Sequence, residues 1–167
     1  MIKGRFTCLV LMLLMSTISS VAQVINEEAR RRAEELVSEM TLEEKLSYIG
    51  GDDSDFGLRP IKRLGIPAIK MSDGPQGVND KNDTTTLYPC GIGLASTWNR
   101  NLAYRYGESL ASDAKARGIH IMLGPGVNIY RYPLCGRNFE YFGEDPYLTA
   151  ETAAEYIKGM QSKKVMA

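Results

Sequence analysis

The stretch LGPGVNIYRYPLCGRNFEYFGEDPY, Leu123 to Tyr147, gathers Arg131, Arg137, Glu140, Glu144 and Asp145 among several aromatic rings. A short apolar run, Ile119 to Leu123, leads into it, and a helix start closes it. Connecting segments of this length are more often functional than merely connective. Planar rings cover the apolar faces of a pyranose, while carboxylates and guanidinium groups take its hydroxyls. The chemistry suggested by these residues is sugar binding.

Asp73 is the second candidate. An ionised carboxylate accepts from two neighbouring hydroxyls, and such charge-assisted bonds are roughly twice as strong as neutral ones. The tetrapeptide Ser72-Asp73-Gly74-Pro75 is equally a turn former, so the residues alone leave binding and turn as level readings. Arg137 offers five donors in one plane and could clamp a hydroxyl together with a nearby acid, Glu140 or Asp73. Glu140 is assigned to holding the arginine's rotamer, a role compatible with a plain ion pair that stiffens the loop. Glu144 and Asp145 are explained by the helix start they occupy, where acids favour the positive dipole end by ~0.3 to 1 kcal/mol each.

Trp98, Tyr130, Tyr132, Phe139 and Tyr141 could stack on sugar rings, yet most aromatics fill cores, so none is singled out as a platform. His120 lies between Ile119 and Ile121, where strand alternation turns it away from both. With no nucleophile beside it, it is expected to pack and not to catalyse.

These residues need elements to hold them. From Asn26 to Met40, Ala29, Ala33, Leu36, Val37 and Met40 recur at helical spacing. Thr41 and Glu44 then form a capping box that opens a second short helix, ended by Gly50 and Gly51. The following GDDSDFG is a loop. Ile66 to Met71 reads as a buried strand that presents Asp73 at its carboxyl end, where parallel α/β folds place their chemistry.

Gly91 to Ala95 is expected as a short strand, followed by a helix from about Asn101 to Arg117 with Leu102, Tyr106, Leu110 and Ala114 as its buried stripe. Gly118 fits the left-handed position that closes it. Ile119 to Leu123 is the next strand. After the rich loop, Asp145 caps a helix with Pro146 first and Tyr147, Ala150, Ala154, Ile157 and Gln161 along one face. This alternation argues for parallel βα units, in an open sheet or a barrel. A complete eight-unit barrel takes ~250 residues, more than are present.

Residues 1–22 have the form of a secretory signal: Lys3 and Arg5, an apolar run from Cys8 to Met15, then Ser20 and Ala22 at an A-x-A-like cleavage site. The run is far short of the ~18 residues that span a bilayer, so no stable membrane span is expected. Cleavage after Ala22 would leave 145 residues with 18 basic against 20 acidic side chains, a formal charge of −2. Neither a basic field for nucleic acid nor a charged tail is present, so an uncharged or weakly charged partner is expected. Cys90 and Cys135 could bridge in an oxidising compartment, but nothing in their spacing requires it, and separate thiols are the simpler reading. One His and no metal-ligand spacing argue against a zinc site.

KMSDGPQGV at Lys70 to Val78, LASTWN at Leu94 to Asn99 and, above all, LGPGVNIYRYPLCGRNFEYFGEDPYLTAE resemble the amino-terminal part of glycoside hydrolase family 3, the β-glucosidase and β-xylosidase family. The opening EEARRRAEELVSEMTLEEKLSYI is similar as well, so the likeness covers almost all of residues 23–167. The resemblance implies an α/β fold: the first part of a (β/α)8 TIM-like barrel, incomplete in this chain. It implies a secreted or periplasmic, cofactor-free, retaining, exo-acting enzyme on an oligosaccharide or β-glycoside substrate. By the same resemblance, Asp73 and Arg137 are the substrate-binding residues of the innermost subsite. The family's Lys-His pair, nucleophilic aspartate and acid/base glutamate fall beyond Ala167, so no catalytic residue is assigned here and the remainder of its own polypeptide is an expected partner. Asn79 stands where the family often has an arginine. The alternative is a secreted, non-catalytic carbohydrate-binding module.

Overall fold

The computed structural model describes residues 27–52, 56–80 and 84–167. The expected signal segment lies outside them. Two compact units divide the chain.

The first unit contains α1 (27–39), α2 (Leu42–Ile49) and a 3-10 turn at Lys62–Leu64. The capping box forms as its spacing requires: Thr41 N–H donates to Glu44 Oε2 at 2.9 Å and Glu44 N–H to Thr41 Oγ1 at 3.2 Å. Arg63 forks onto the same carboxylate at 3.1 and 2.7 Å. That hydrogen bond, and then the one from Thr41, lowers the Glu44 pKa below its ordinary value. Leu36 on α1 and Met40 just past its end are only half covered, and Val37 is exposed.

The second unit holds the sheet. β1 (Gly57–Leu58) runs antiparallel to β2 (Ile69–Asp73), and β2 runs parallel to β3 (Ile121–Leu123), in the order β1-β2-β3. Met166 adds a parallel bridge to Ile121, with Met122 N–H donating to Met166 O and Met166 N–H to His120 O, both at 2.9 Å. Consecutive parallel strands thus lie side by side, as a barrel wall requires. β2 begins three residues later than expected and runs through Asp73, which pairs with Leu123.

Three expectations change. Gly91–Ala95 is a helix, α3, not a strand. Five residues cannot declare a period, and α3 is set by packing: a Cβ on Gly91 would lie 2.4 Å from Glu140 O, so only glycine lets the helix come so near. The aromatic loop, in turn, has its own structure. β4 (Gly126–Ile129) and β5 (Tyr141–Gly143) pair in parallel within it, and a 3-10 turn spans Asn138–Glu140.

The third change concerns α4 (Arg100–Ala116) and α5 (Pro146–Ser162). Tyr106, Leu110 and Ala114 are buried as expected, but Leu102 is exposed. On α5 the buried face is Thr149, Thr152, Ala153, Tyr156, Gly159 and Met160, whereas Tyr147, Ala150, Ala154 and Gln161 are exposed. Small residues misled the periodicity. Gly107 and Gly159 let the two helices touch: a Cβ on Gly107 would stand 2.1 Å from Tyr156 O, and one on Gly159 2.0 Å from Tyr104 O. The ion pairs Arg100–Glu151 and Lys163–Glu108, at 2.7 and 2.9 Å, only trim this contact, since exposed pairs contribute ~0 to 1 kcal/mol. Burying side chains such as Leu110, Tyr156 and Met160 contributes ~1.5 to 3 kcal/mol each and decides the packing.

Candidate functional site

A cleft of about 300 Å³ opens beyond the carboxyl end of β2, lined by Asp73 to Asn79, Thr85 to Leu87, Phe139 and Glu140. Three segments far apart in sequence therefore share one wall. Each is held by a local device.

Ser72, 2% exposed, is the first. Its Oγ accepts from Asn79 N–H at 3.0 Å and lies 2.9 Å from Asp73 O, so it closes the turn that displays Asp73. Asp73 itself is exposed, and its carboxylate carries no hydrogen bond among the described residues. An acid left open at a strand end can accept from a ligand. The turn tetrapeptide and the binding candidate are thus one feature, not rivals.

The second segment lies against α4. Tyr88 N–H donates to Gln76 O at 2.7 Å, the Tyr88 hydroxyl to Asp113 Oδ2 at 2.7 Å, and Arg117 Nη2 to Thr84 O at 2.8 Å. Leu87 is left fully open at the cleft rim.

The third segment carries the other assigned residue. Arg137 Nε donates to Glu140 Oε1 at 3.0 Å and Nη2 to Oε2 at 2.8 Å, a fork-on-fork pair. The hydrogen bond to Glu140 is the main reason that the Arg137 pKa is raised; the charge of Glu140, Tyr141 and then Asp73 add to it. Glu140 lines the cleft and holds Arg137 in the expected pair, while Arg137 itself is not among the lining residues. Gln76 Nε2 also reaches Phe139 O, at 3.4 Å.

Of the five aromatic candidates, only Phe139 lines the cleft. Trp98 and Tyr132 are exposed elsewhere, while Tyr130 and Tyr141 pack edge to face at 6.2 Å. Asp145 caps α5, accepting from Tyr147 N–H at 2.7 Å and Leu148 N–H at 3.3 Å, as its position predicted. His120 faces away from buried Ile119; its Nδ1 accepts from Lys70 N–H at 3.0 Å, near the start of β2 and β3, at the end opposite to Asp73. Cys90 and Cys135 are free thiols, and Cys135 is exposed. Sequence reasoning missed Ser72 and Gln76, because neither residue type signals chemistry until the turn is folded. Asn79 lies in the cleft lining, its backbone tied to Ser72.

No helix among the described residues is long and apolar enough to cross a membrane. Residues 21–167 match the family model described as glycosyl hydrolase family 3 N terminal domain. The chain is 46% identical over 143 residues to the thermostable beta-glucosidase B of Acetivibrio thermocellus, covering 79% of this chain and 19% of that protein. The solved beta-glucosidase 3B from Thermotoga neapolitana, in complex with alpha-D-glucose, matches with a TM-score of 0.73 and 38% identity, over 80% of this chain and 22% of that one. A beta-glucosidase from Streptomyces venezuelae in complex with D-glucose matches with a TM-score of 0.76 and 39% identity, over 81% and 18%. The chain thus spans about a fifth of the length of these relatives.

Proposed function

Since the chain belongs to glycosyl hydrolase family 3, as part of its N-terminal domain, we propose that it forms the sugar-gripping wall of a β-glucosidase-like enzyme, retaining and exo-acting on β-glycosides. Asp73 accepts from sugar hydroxyls, and Arg137, held by Glu140, donates to them. The observation that carries this reading is the open Asp73 carboxylate in a cleft that also contains Glu140, the acid that forks Arg137. Asn79 can donate and accept in that wall, but it offers no guanidinium fork, which shifts sugar preference relative to arginine-bearing relatives.

Retaining hydrolysis uses two carboxyl groups ~5 to 5.5 Å apart, one attacking the anomeric carbon, the other protonating the leaving oxygen and then activating water. Both are supplied, in this reading, by the remainder of the polypeptide. Residues 1–22 act as a secretory signal cleaved after Ala22, and residues 23–167 are the amino-terminal part of the barrel domain, working outside the cytoplasm. The exposed apolar side chains of β3 and β4, Leu123, Val127 and Ile129, support an incomplete barrel over a self-sufficient binding module.

The test is release of nitrophenol from an aryl β-glucoside. The 167-residue chain alone is expected to release none, whereas the polypeptide continued through its reading frame releases it, and Asp73→Ala abolishes the release. Hydrolysis by the 167-residue chain itself would overturn the reading. So would a cooperatively melting, glucose-stabilised monomer from a gene that stops after Ala167.

A further inference from the structure

The carbonyl of Pro75, two residues beyond Asp73, meets two buried tyrosines from two different helices. Tyr156 of α5 donates its hydroxyl hydrogen to Pro75 O at 3.2 Å. Tyr106 of α4 donates to Pro89 O at 2.8 Å, and its hydroxyl also lies 3.3 Å from Pro75 O. The rings, 1% and 9% exposed, pack with centroids 5.5 Å apart. Gly124 lies close against Pro75 and Tyr156, since an added Cβ there would stand 3.0 Å from Pro75 Cβ and 3.4 Å from the Tyr156 hydroxyl.

Pro75 lines the cleft with Asp73, and Pro89 follows the lining segment Thr85–Leu87 by two residues. Both carbonyls are acceptors in part-buried hydrogen bonds, where leaving an acceptor unmatched carries a cost. Phenylalanine would fill both ring sites equally well, so the packing does not explain the hydroxyls. Burial raises the pKa of both phenols above the ordinary value, so each keeps its proton and remains a donor at physiological pH.

We propose that Tyr156 and Tyr106 are positioning residues: by holding the carbonyls of Pro75 and Pro89 they fix the turn that aims the Asp73 carboxylate, without touching the sugar. The proposal deepens the β-glycosidase reading and rests on it. It assigns a role in the cleft to two side chains that line the core on α4 and α5.

The test uses the polypeptide continued through its reading frame. Tyr156→Phe should raise KM for an aryl β-glucoside about fivefold, the worth of one lost hydrogen bond, with kcat changed less than about twofold. Adding Tyr106→Phe should raise KM further, and deuterium exchange at the Asn79 and Tyr88 amides should quicken in both variants. Ser162→Ala, which removes the 2.6 Å bond to Gly159 O at the end of α5, should lower stability and leave KM and both exchange rates alone. Wild-type KM and exchange in Tyr156→Phe would overturn the proposal, as would an equal rise in KM from Ser162→Ala. If the unsubstituted polypeptide releases no nitrophenol, the glycosidase reading fails, and the exchange rates alone decide the positioning. Should the double variant not fold, Tyr156→Phe decides the matter.

Discussion

Arg137 and Glu140 meet through two parallel hydrogen bonds, at 3.0 and 2.8 Å, with the guanidinium 71% exposed and the carboxylate 17% exposed. The acid is the anchored partner and the arginine the presented one. Nη1 has no hydrogen bond among the described residues, so part of the donor fork remains open. Spacing three residues apart across a 3-10 turn makes the pair, because side chains at i and i+3 eclipse there.

Removing the anchor should therefore disorder the donor. In the polypeptide continued through its reading frame, Glu140→Ala is expected to lower kcat/KM for an aryl β-glucoside by on the order of ten- to a hundredfold, the cost of misplacing a binding group. Steady-state kinetics check it. Retention of wild-type kcat/KM would show that Arg137 needs no holder.

Ser72→Ala should loosen the turn that shows Asp73. The Asn79 amide would lose its 3.0 Å acceptor and keep only Asp73 O at 3.4 Å, a cost of ~0.5 to 1.5 kcal/mol. Urea denaturation measures it. A change below ~0.5 kcal/mol, the range of ordinary surface substitutions, would mean that the turn holds itself.

Gly107→Ala sets two effects against each other. Alanine gains ~1 kcal/mol of helix propensity, while its Cβ would have to stand 2.1 Å from the backbone oxygen of Tyr156. Backbone cannot yield as a flexible side chain does, so the clash wins, and a net loss of ~1 to 3 kcal/mol is expected in denaturant titration. A stabilised variant would show that α4 and α5 do not cross as closely as described.

Alkaline pH should unfold the chain. Tyr88, Tyr106 and Tyr156 all have raised pKa values, chiefly through burial, with the Asp113 contact adding to the shift at Tyr88. A pKa raised in the folded state means that the unfolded chain loses its protons first. The stabilisation is intact below the ordinary phenol value of ~10 and is lost as pH rises above it. Urea midpoints at a series of pH values from neutral to alkaline check this, and an unchanged midpoint well above the ordinary phenol value would contradict it.

Residues acting on near neighbours were legible before folding. The Thr41–Glu44 box, the Asp145 cap, the left-handed Gly118 and the Arg137–Glu140 pair each depend on a few adjacent residues, and each has the geometry its spacing requires. Family likeness carried the barrel reading and Asp73 further than periodicity could. The misreadings share a cause. Gly91–Ala95 was too short to show a period, and α5 buries Thr149, Thr152 and Gly159, residues that an apolar count overlooks.

Caps and tight turns were determined by the sequence itself, because backbone angles and hydrogen bonds at that range are functions of neighbouring residue types. Which faces are buried, and that Tyr106 and Tyr156 meet the turn displaying Asp73, was decided only when segments 31 and 81 residues apart met at the Pro75 carbonyl. Long-range contacts select faces by shape and by where glycine permits approach, and that information is absent from any single window of the chain.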